Sequence, residues 1–263
     1  MKELKTQKDF QTVFKSLSFC YLCGKSFQSN KDKTRDHLPP DSVFQVSDKS
    51  PPLILPAHEK CNGEQSIDDE EIGQLIGLLH GKPIYLEKSR LKIGTANFAD
   101  KTQAGVVTIN MKNILFRWIR GFHAAIYKEF LPADTKRAIH LPMPSVKLDG
   151  DTVSRQKDIL PQQYKMVEVI KKNRAVDRLD RIECRNSKCI YECVWDQADN
   201  GAWLCIFALQ IYDWKDLGDP VHFIQRGCAG SYMPQKAYPR NATKGVSIDI
   251  PILNFDKLDP FDY

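Results

Sequence analysis

Two pairs of metal-binding side chains occur near the start of the sequence. Cys20 and Cys23 form a CxxC pair, and His58 and Cys61 form a second pair with the same two-residue gap. Each pair can supply two corners of a tetrahedron, and three thiolates with one imidazole are a common closed ligand set for structural Zn²⁺. Because two matched pairs are much more specific than a lone CxxC, we predict one structural zinc ion bound by these four side chains.

Three further polar residues beside these pairs have no evident structural role. Asp36 and His37 lie in the segment that the zinc would close, and Asn62 directly follows Cys61. Carboxylate and carboxamide oxygens suit Mg²⁺ or Mn²⁺ better than zinc, and a neutral imidazole can accept a proton from water. We therefore predict that Asp36 and Asn62 bind a divalent cation. With His37 as general base, they would form the minimal set for one-metal phosphodiester hydrolysis.

The order of these motifs resembles that of HNH endonucleases of the zinc-bearing ββα-metal type. That family carries CxxC, then DHxPP, then HxxCN. A group of stand-alone HNH proteins is also similar, with RDHxPP, then LP-A-(C/H)-x-x-C-N, then S-x-DDE. The matching segments here are residues 35–40, 55–62 and 66–70, and the resemblance covers residues 18–72.

The resemblance implies a role for each matching residue. His37 would activate water, and Asp36 and Asn62 would hold the cation that bridges the scissile phosphate and stabilises the 3′-oxygen leaving group. The zinc ligands would fasten two β segments to the following helix, with Asn62 at or near that helix and projecting toward Asp36.

The sequence departs from the family pattern at two places. The polar residue that many HNH sequences carry shortly before the second zinc pair falls near Leu53, so the orienting contact to His37 is missing or comes from elsewhere. The basic residue often found after Cys-Asn is replaced by residues 63–66, and Arg35 could compensate by contacting phosphate. The acidic run at residues 68–71 is interpreted as a favourable helix start, not as a second metal site.

The net charge is +5, and its distribution is uneven. Residues 82–188 carry 22 basic and 11 acidic side chains, which predicts either a polyanion-binding surface or a solvated helix face. Arg117 and Arg120 lie off the apolar stripe of a predicted helix, and we expect them, with Arg35, to contact nucleic acid. Further arginines that could contact phosphate are Arg174, Arg178 and Arg181.

The periodicity predicts an α+β fold. Residues 1–81 would form the zinc-stabilised ββα-metal module, and residues 82–263 a mixed α+β domain that is basic in its first half. Apolar spacing predicts helices at residues 9–17, from residue 67 to about 79, at 115–130 with Pro132 as the stop, and at 161–180. Alternation and turn residues predict strands at residues 53–55, 83–86 and 105–109, and a hairpin from 189–195 to 202–214.

Four further cysteines and one histidine are predicted to lie in the core. Cys184, Cys189, Cys193 and Cys205 have irregular spacing, so buried thiols are favoured and a second zinc site is the alternative. His123 is expected to be a core histidine. The opening residues contain no signal peptide and no apolar run could cross a bilayer, so we expect a cytoplasmic protein without a membrane partner.

The sequence thus predicts a metal-dependent endonuclease that acts on nucleic acid, with double-stranded DNA as the expected substrate. A bacterial or mobile-element defence system is an associated setting. Two alternatives stay open: a nucleic-acid-binding module with an inactive HNH centre, and a nuclease that cleaves RNA. A regulatory protein partner is also left open.

Overall fold

The chain folds into helices and mostly antiparallel strands, as predicted for the α+β class. A computed structural model describes residues 2–79, 93–98, 101–106, 111–140, 145–149, 152–156, 161–197, 202–212 and 227–234. In that part of the chain, the helices are α1 (Gln7–Ser16), α2 (Glu59–Gly63), α3 (Ser66–Leu79), α4 (Met111–Tyr127) and α5 (Pro161–Ala175). The strands are β1 (Glu3–Leu4), β2 (Thr34–Leu38), β3 (Leu53–Ala57), β4 (Ile93–Phe98), β5 (Lys101–Val106), β6 (Lys136–His140), β7 (Ser145–Asp149), β8 (Thr152–Gln156), β9 (Asp180–Cys184), β10 (Cys189–Gln197), β11 (Trp203–Ile211) and β12 (Gly227–Met233).

A six-stranded sheet runs in the order β1-β9-β10-β11-β12-β6. The strand pairs within it are antiparallel except for β1 and β9, which run parallel with Glu3 opposite Arg181. The predicted hairpin is confirmed, because β10 and β11 pair from Cys189 opposite Ile211 through to the loop end. The N-terminal segment therefore contributes an edge strand to a sheet that is otherwise built from the second half of the chain.

The chain between the two predicted pairs of zinc ligands forms a separate two-stranded sheet. Strands β2 and β3 are antiparallel, with Thr34 opposite Ala57 and Leu38 opposite Leu53. Every residue of β3 is buried, whereas β2 alternates between interior and exposed positions. Helix α2 begins directly after β3, so two strands and a short helix follow one another in this region.

Helix α4 joins this small sheet to the large one. Trp118 and Phe122 are fully buried, and the ring of Phe122 stacks on Tyr191 of β10 with centroids 4.9 Å apart. On the other side, a Cβ at Gly121 would lie 2.1 Å from Leu38 of β2. The two parts of the chain thus share one apolar core. Among the described helices, α4 included, none combines the length and apolar character needed to cross a bilayer.

The predicted elements differ from the observed ones mainly at their ends. Helix α1 agrees with its prediction and begins after Thr6, which forms a capping box. Helix α4 ends at Tyr127, well before Pro132, because Lys128 has a left-handed φ of 59°. Helix α5 ends at Ala175, not near residue 180, where β9 begins. The strand predicted at 83–86 and the domain boundary predicted after residue 81 lie outside the described residues, so the two-domain division stays a prediction.

Gly121→Ala should test the packing of α4 against β2. The added methyl group would overlap buried side chains of Leu38 and Leu55, so we expect a loss of about 1–3 kcal/mol in the free energy of unfolding, measured by urea denaturation. Gly63→Ala in α2 is the matched control, because nothing lies within 4 Å of the position that its new methyl group would take. Equal stability of the two variants would show that α4 does not approach β2 this closely.

Candidate functional site

Cys20 and Cys23 lie on a tight turn. The N–H of Cys20 donates to the carbonyl of Lys25 at 2.9 Å. Gly24 follows with a φ of 75°, a left-handed conformation that glycine adopts without steric cost, and a Cβ there would lie 2.8 Å from the ring of Phe130. The sequence therefore folds as the predicted knuckle and presents both thiols to one cluster.

The four predicted zinc ligands converge. The donor atoms of Cys20, Cys23, His58 and Cys61 all lie within 4.8 Å of one another. Nδ1 of His58 is 3.4 Å from Sγ of Cys23, and the backbone N–H of His58 donates to Sγ of Cys20 at 3.4 Å. Among the residues whose side chains are described, no other group of three or more His, Cys, Asp or Glu side chains converges in this way.

The electrostatics of the cluster fit a bound cation. Burial raises the pKa of the Cys20 thiol. Burial, together with the neighbouring Cys20 and Cys23, raises the pKa of Cys61 to about 12. Thiolates this close repel one another, and a divalent cation removes that penalty because ligand deprotonation and metal binding are coupled. Three sulfur donors and one imidazole nitrogen form a set that suits Zn²⁺.

Asp36 and His37 lie next to each other on β2 and differ in their exposure. Asp36 is only 4% exposed, and one of its carboxylate oxygens accepts a hydrogen bond of 2.6 Å from the hydroxyl of Tyr21. The side chain of His37 is 36% exposed, and Arg35 is exposed as well. Because successive side chains of a strand point to opposite faces, Arg35 and His37 share the accessible face and Asp36 faces the interior.

Charged side chains from two helices lie close to Asp36. Arg117 of α4 forms an ion pair with Asp69 of α3, and both groups act on Asp36 electrostatically. Burial raises the pKa of Asp36 to about 6, against a smaller lowering by the Tyr21 hydrogen bond and by Arg117. The carboxyl group is therefore ionised for the most part at neutral pH, at a cost in desolvation.

Helix α2 brings Asn62 to the same strand. The backbone N–H of Asn62 donates to the carbonyl of His58 at 2.9 Å, which forms the first turn of the helix. The Asn62 side chain then donates through Nδ2 to the carbonyl of Arg35 at 3.4 Å. This bond uses the amide nitrogen, so the oxygen Oδ1 takes no part in it and the side chain keeps a hard oxygen donor.

Arg117 and Arg120 do not have the predicted exposure. They are 5% and 7% exposed, so the expectation that they contact nucleic acid is wrong for this structure. Arg120 donates to the carbonyls of Leu131 at 2.8 Å and Leu22 at 2.5 Å. The side of α4 that carries these two arginines is covered by other parts of the protein, and both guanidinium groups have their partners in the interior. Arg120 thereby supports the turn that carries Cys20 and Cys23.

The histidine and the cysteines predicted to be core residues are buried. His123 is a core histidine, as predicted, with Nδ1 2.9 Å from the hydroxyl of Tyr232. The cysteines outside the cluster that were expected to be core residues are buried, namely Cys184, Cys189, Cys193 and Cys205. Arg174 and Arg181 both bind Glu192, which is only 3% exposed, on the large sheet.

Four residues near Asp36 and His37 carry no sequence signal that marks them as part of the site. Tyr21 is an unspecified position of the CxxC motif, and Asp69 was interpreted only as part of a helix start. Asp41 lies four residues after His37, a spacing that gave no signal in a non-helical segment. Arg185 comes from the hairpin between β9 and β10, and no local pattern could indicate its contact with the site.

Comparisons of the chain with protein-family models, with curated proteins and with solved structures find no match.

Cys61→Ser should remove the metal. We expect about one tightly bound zinc per chain in the purified protein, and loss of most of it in the variant, with a lower Tm because metal binding contributes folding free energy. Elemental analysis and thermal unfolding measure both effects. Cys228→Ser is the control, since this buried thiol lies outside the cluster and its loss should leave the zinc content unchanged. A zinc-free wild type whose melting curve ignores chelators would contradict the prediction.

Asp36→Asn should stabilise the protein above pH 6 when no Mg²⁺ or Mn²⁺ is added. The folded-state pKa is raised from 3.8 to about 6, so the folded state binds the proton more tightly and stability falls as pH rises through this window. The variant lacks this penalty, which predicts a gain of about 1–3 kcal/mol above pH 6 that vanishes below about pH 4.

Urea denaturation across this pH range measures the effect of Asp36→Asn. Asp9→Asn is a control of opposite sign, because hydrogen bonds from Thr6 lower the pKa of Asp9 and its loss should destabilise the protein above the unfolded-state pKa. A pH-independent difference between wild type and Asp36→Asn would show that the carboxyl group is not desolvated as described.

Proposed function

We propose that this protein is a divalent-metal-dependent endonuclease of the HNH type that hydrolyses phosphodiester bonds in DNA. One observation carries the proposal: helix α2 contacts β2 through the Asn62 side chain. This contact joins the helix that carries Cys61 to the strand that carries Asp36 and His37. The metal cluster and Asn62 are thus linked to the strand on which His37 has an accessible position and Asp36 a buried one.

His37 has the properties of a general base. Burial of part of the ring lowers its pKa, and this outweighs the opposite effect of the Asp41 carboxylate. The imidazole is therefore neutral at neutral pH and can accept a proton from water. Its side chain is 36% exposed, so solvent and a substrate phosphate would reach it from the accessible face of β2.

Asp36 and Asn62 would hold the divalent cation. Carboxylate and carboxamide oxygens are the donors that Mg²⁺ and Mn²⁺ prefer, and the raised pKa of Asp36 at about 6 still leaves it mainly ionised at neutral pH. A bound cation there would polarise the scissile phosphate and stabilise the leaving oxygen. Tyr21, through its hydrogen bond, fixes the rotamer of Asp36.

Arg35 is the arginine that fits a substrate contact. Its side chain is exposed, and it precedes His37 by two residues, so both side chains share one face of β2. A guanidinium group at this place would bind a phosphate oxygen through charge-assisted hydrogen bonds. Since Arg117 and Arg120 are buried, Arg35 takes over the substrate-contacting role proposed for the three.

His37→Ala should abolish cleavage while zinc content, Tm and nucleic-acid affinity stay close to wild type. A general base acts in the transition state, and its loss typically costs on the order of 10²–10⁴ in rate. Asn62→Ala should instead weaken cation binding, so part of its activity should return at high Mg²⁺ or with Mn²⁺. Plasmid nicking with each ion measures the rates.

The same assay separates the alternative functions. Lys171→Ala, an exposed position on α5, is the control that should cleave like wild type, and a contaminating nuclease would be indifferent to His37→Ala. Matched double-stranded DNA, single-stranded DNA and RNA substrates identify the substrate class. Binding without cleavage of any substrate under any divalent ion would favour a nucleic-acid-binding module with an inactive centre.

A further inference from the structure

The turn between β9 and β10 places a buried arginine beside the site. Arg185, Asn186 and Ser187 have φ values of 59°, 52° and 62°, a left-handed conformation that is uncommon for residues other than glycine. The side chain of Arg185 is 0% exposed. Such strain persists only where the surrounding structure determines it, and it is often associated with functional segments.

Arg185 binds the segment that follows His37. Its two terminal nitrogens donate to the carbonyls of Pro39 and Lys49, each at 2.7 Å, and Nη1 forms an ion pair of 2.6 Å with Oδ1 of Asp41. The guanidinium also lies over the ring of Phe44, 5.0 Å from its centroid. One side chain of the large sheet therefore holds residues 39–49 at four points.

A second residue, Tyr212, which directly follows β11, supports the same segment. The hydroxyl of Tyr212 accepts a hydrogen bond of 2.9 Å from the backbone N–H of Gln45, and its ring contacts Phe44 with centroids 5.7 Å apart. Tyr212 itself has a left-handed φ of 64°, and its N–H donates to the carbonyl of Lys188 in the same turn as Arg185. The segment after His37 contains two short 3₁₀ helices, Asp41–Val43 and Val46–Asp48, and these contacts hold it against the large sheet.

Asp41 links this support to His37. Its Oδ1 pairs with Arg185, while its Oδ2 lies 4.0 Å from Nε2 of His37. That separation is roughly 1 Å longer than a hydrogen bond, and catalytic hydrogen bonds are often longer in the absence of substrate. A carboxylate at Nε2 favours the tautomer that carries its proton there, which leaves the lone pair of Nδ1 for the reaction.

We propose that Asp41, anchored by its ion pair with Arg185, is the positioning residue that orients the imidazole of His37. The proposal rests on the proposed function, in which His37 is the general base. It also supplies the orienting contact that the sequence near Leu53 lacks. The competing interpretation is that Asp41 serves only as the counter-ion of a buried arginine, in which case it affects folding but not the imidazole.

Asp41→Asn should lower kcat by about 10- to 100-fold, the size of effect known for partners that orient metal-bound histidines, with KM for the substrate little changed. Asp134→Asn, an exposed carboxylate in the turn after α4, is the control and should leave both constants unchanged. Wild-type kcat in Asp41→Asn would overturn the proposal.

Imidazole rescue separates positioning from a general structural effect. In His37→Ala, added imidazole replaces the tethered ring, so a residue that acts only by orienting that ring has nothing left to orient. The rescued rate should be the same in His37→Ala and in the double variant with Asp41→Asn. A rescued rate that falls by the same factor as kcat would assign Asp41 to the fold or to the cation site and overturn the proposal. A lower zinc content or a lost thermal transition in Asp41→Asn would reveal a disturbed fold instead. In that case Asp41→Glu, which keeps the charge beside Arg185, is used in place of Asp41→Asn in both the single and the double variant.

A measurement without substrate keeps this proposal distinct from the proposed function. ¹³C relaxation of the His37 ring reports its order at pH 8 in the zinc-loaded protein, and we expect a clear drop of the order parameter in Asp41→Asn but not in Asp134→Asn. If the ring loses order but wild type cleaves nothing, the positioning role stands and the nuclease fails. If wild type cleaves while ring order and kcat survive Asp41→Asn, the nuclease stands and the positioning role fails.

Discussion

The enclosure of α4 is the constraint on which the rest of the structure depends. Residues 114–127 are buried without interruption, with β2 on one side and β10 on another. A helix covered all round must find internal partners for its charged side chains, since an unpaired buried charge is costly. Arg117 therefore binds Asp69, and Arg120 binds the carbonyls of the knuckle at Leu22. The enclosed helix thereby becomes the support of both the metal cluster and Asp36.

The buried charges near Asp36 follow from that support, and they favour a chemical role for this residue. A carboxylate with 4% exposure and a pKa raised by burial costs folding free energy. An apolar side chain at the same place in β2 would not. Tyr21 and Arg117 reduce the cost without removing it. Natural proteins keep such groups where function needs them, and a desolvated carboxylate binds a cation more strongly than a solvated one.

What the sequence predicts depends on how local the determining contacts are. The spacing of Cys20, Cys23, His58 and Cys61 fixes two short turns, so the convergence of their donor atoms was predictable and is confirmed. The period of α4 placed Arg117 and Arg120 off its apolar stripe. The prediction that both side chains contact nucleic acid was wrong. Helical periodicity describes one buried face and contains no information about a second layer that covers the other face. Helix ends were missed for a related reason: Lys128 leaves the helix through its own φ of 59°, not through Pro132.

The contacts of Arg185 join residues that are far apart in the sequence, so no local pattern could predict them. They also show what holds the segment after His37 in place. A strained turn on the large sheet binds Pro39, Asp41 and Lys49, and no sequence pattern links these positions. Contacts at the N-terminus also join the first part of the chain to the large sheet. The backbone N–H of Lys2 donates to Asp180 at 2.6 Å, beside the pairing of β1 with β9. The segment that carries the predicted zinc ligands and Asp36 is short and lacks a large core of its own. The geometry around His37 therefore depends on contacts with the large sheet, most of whose strands come from the second half of the chain.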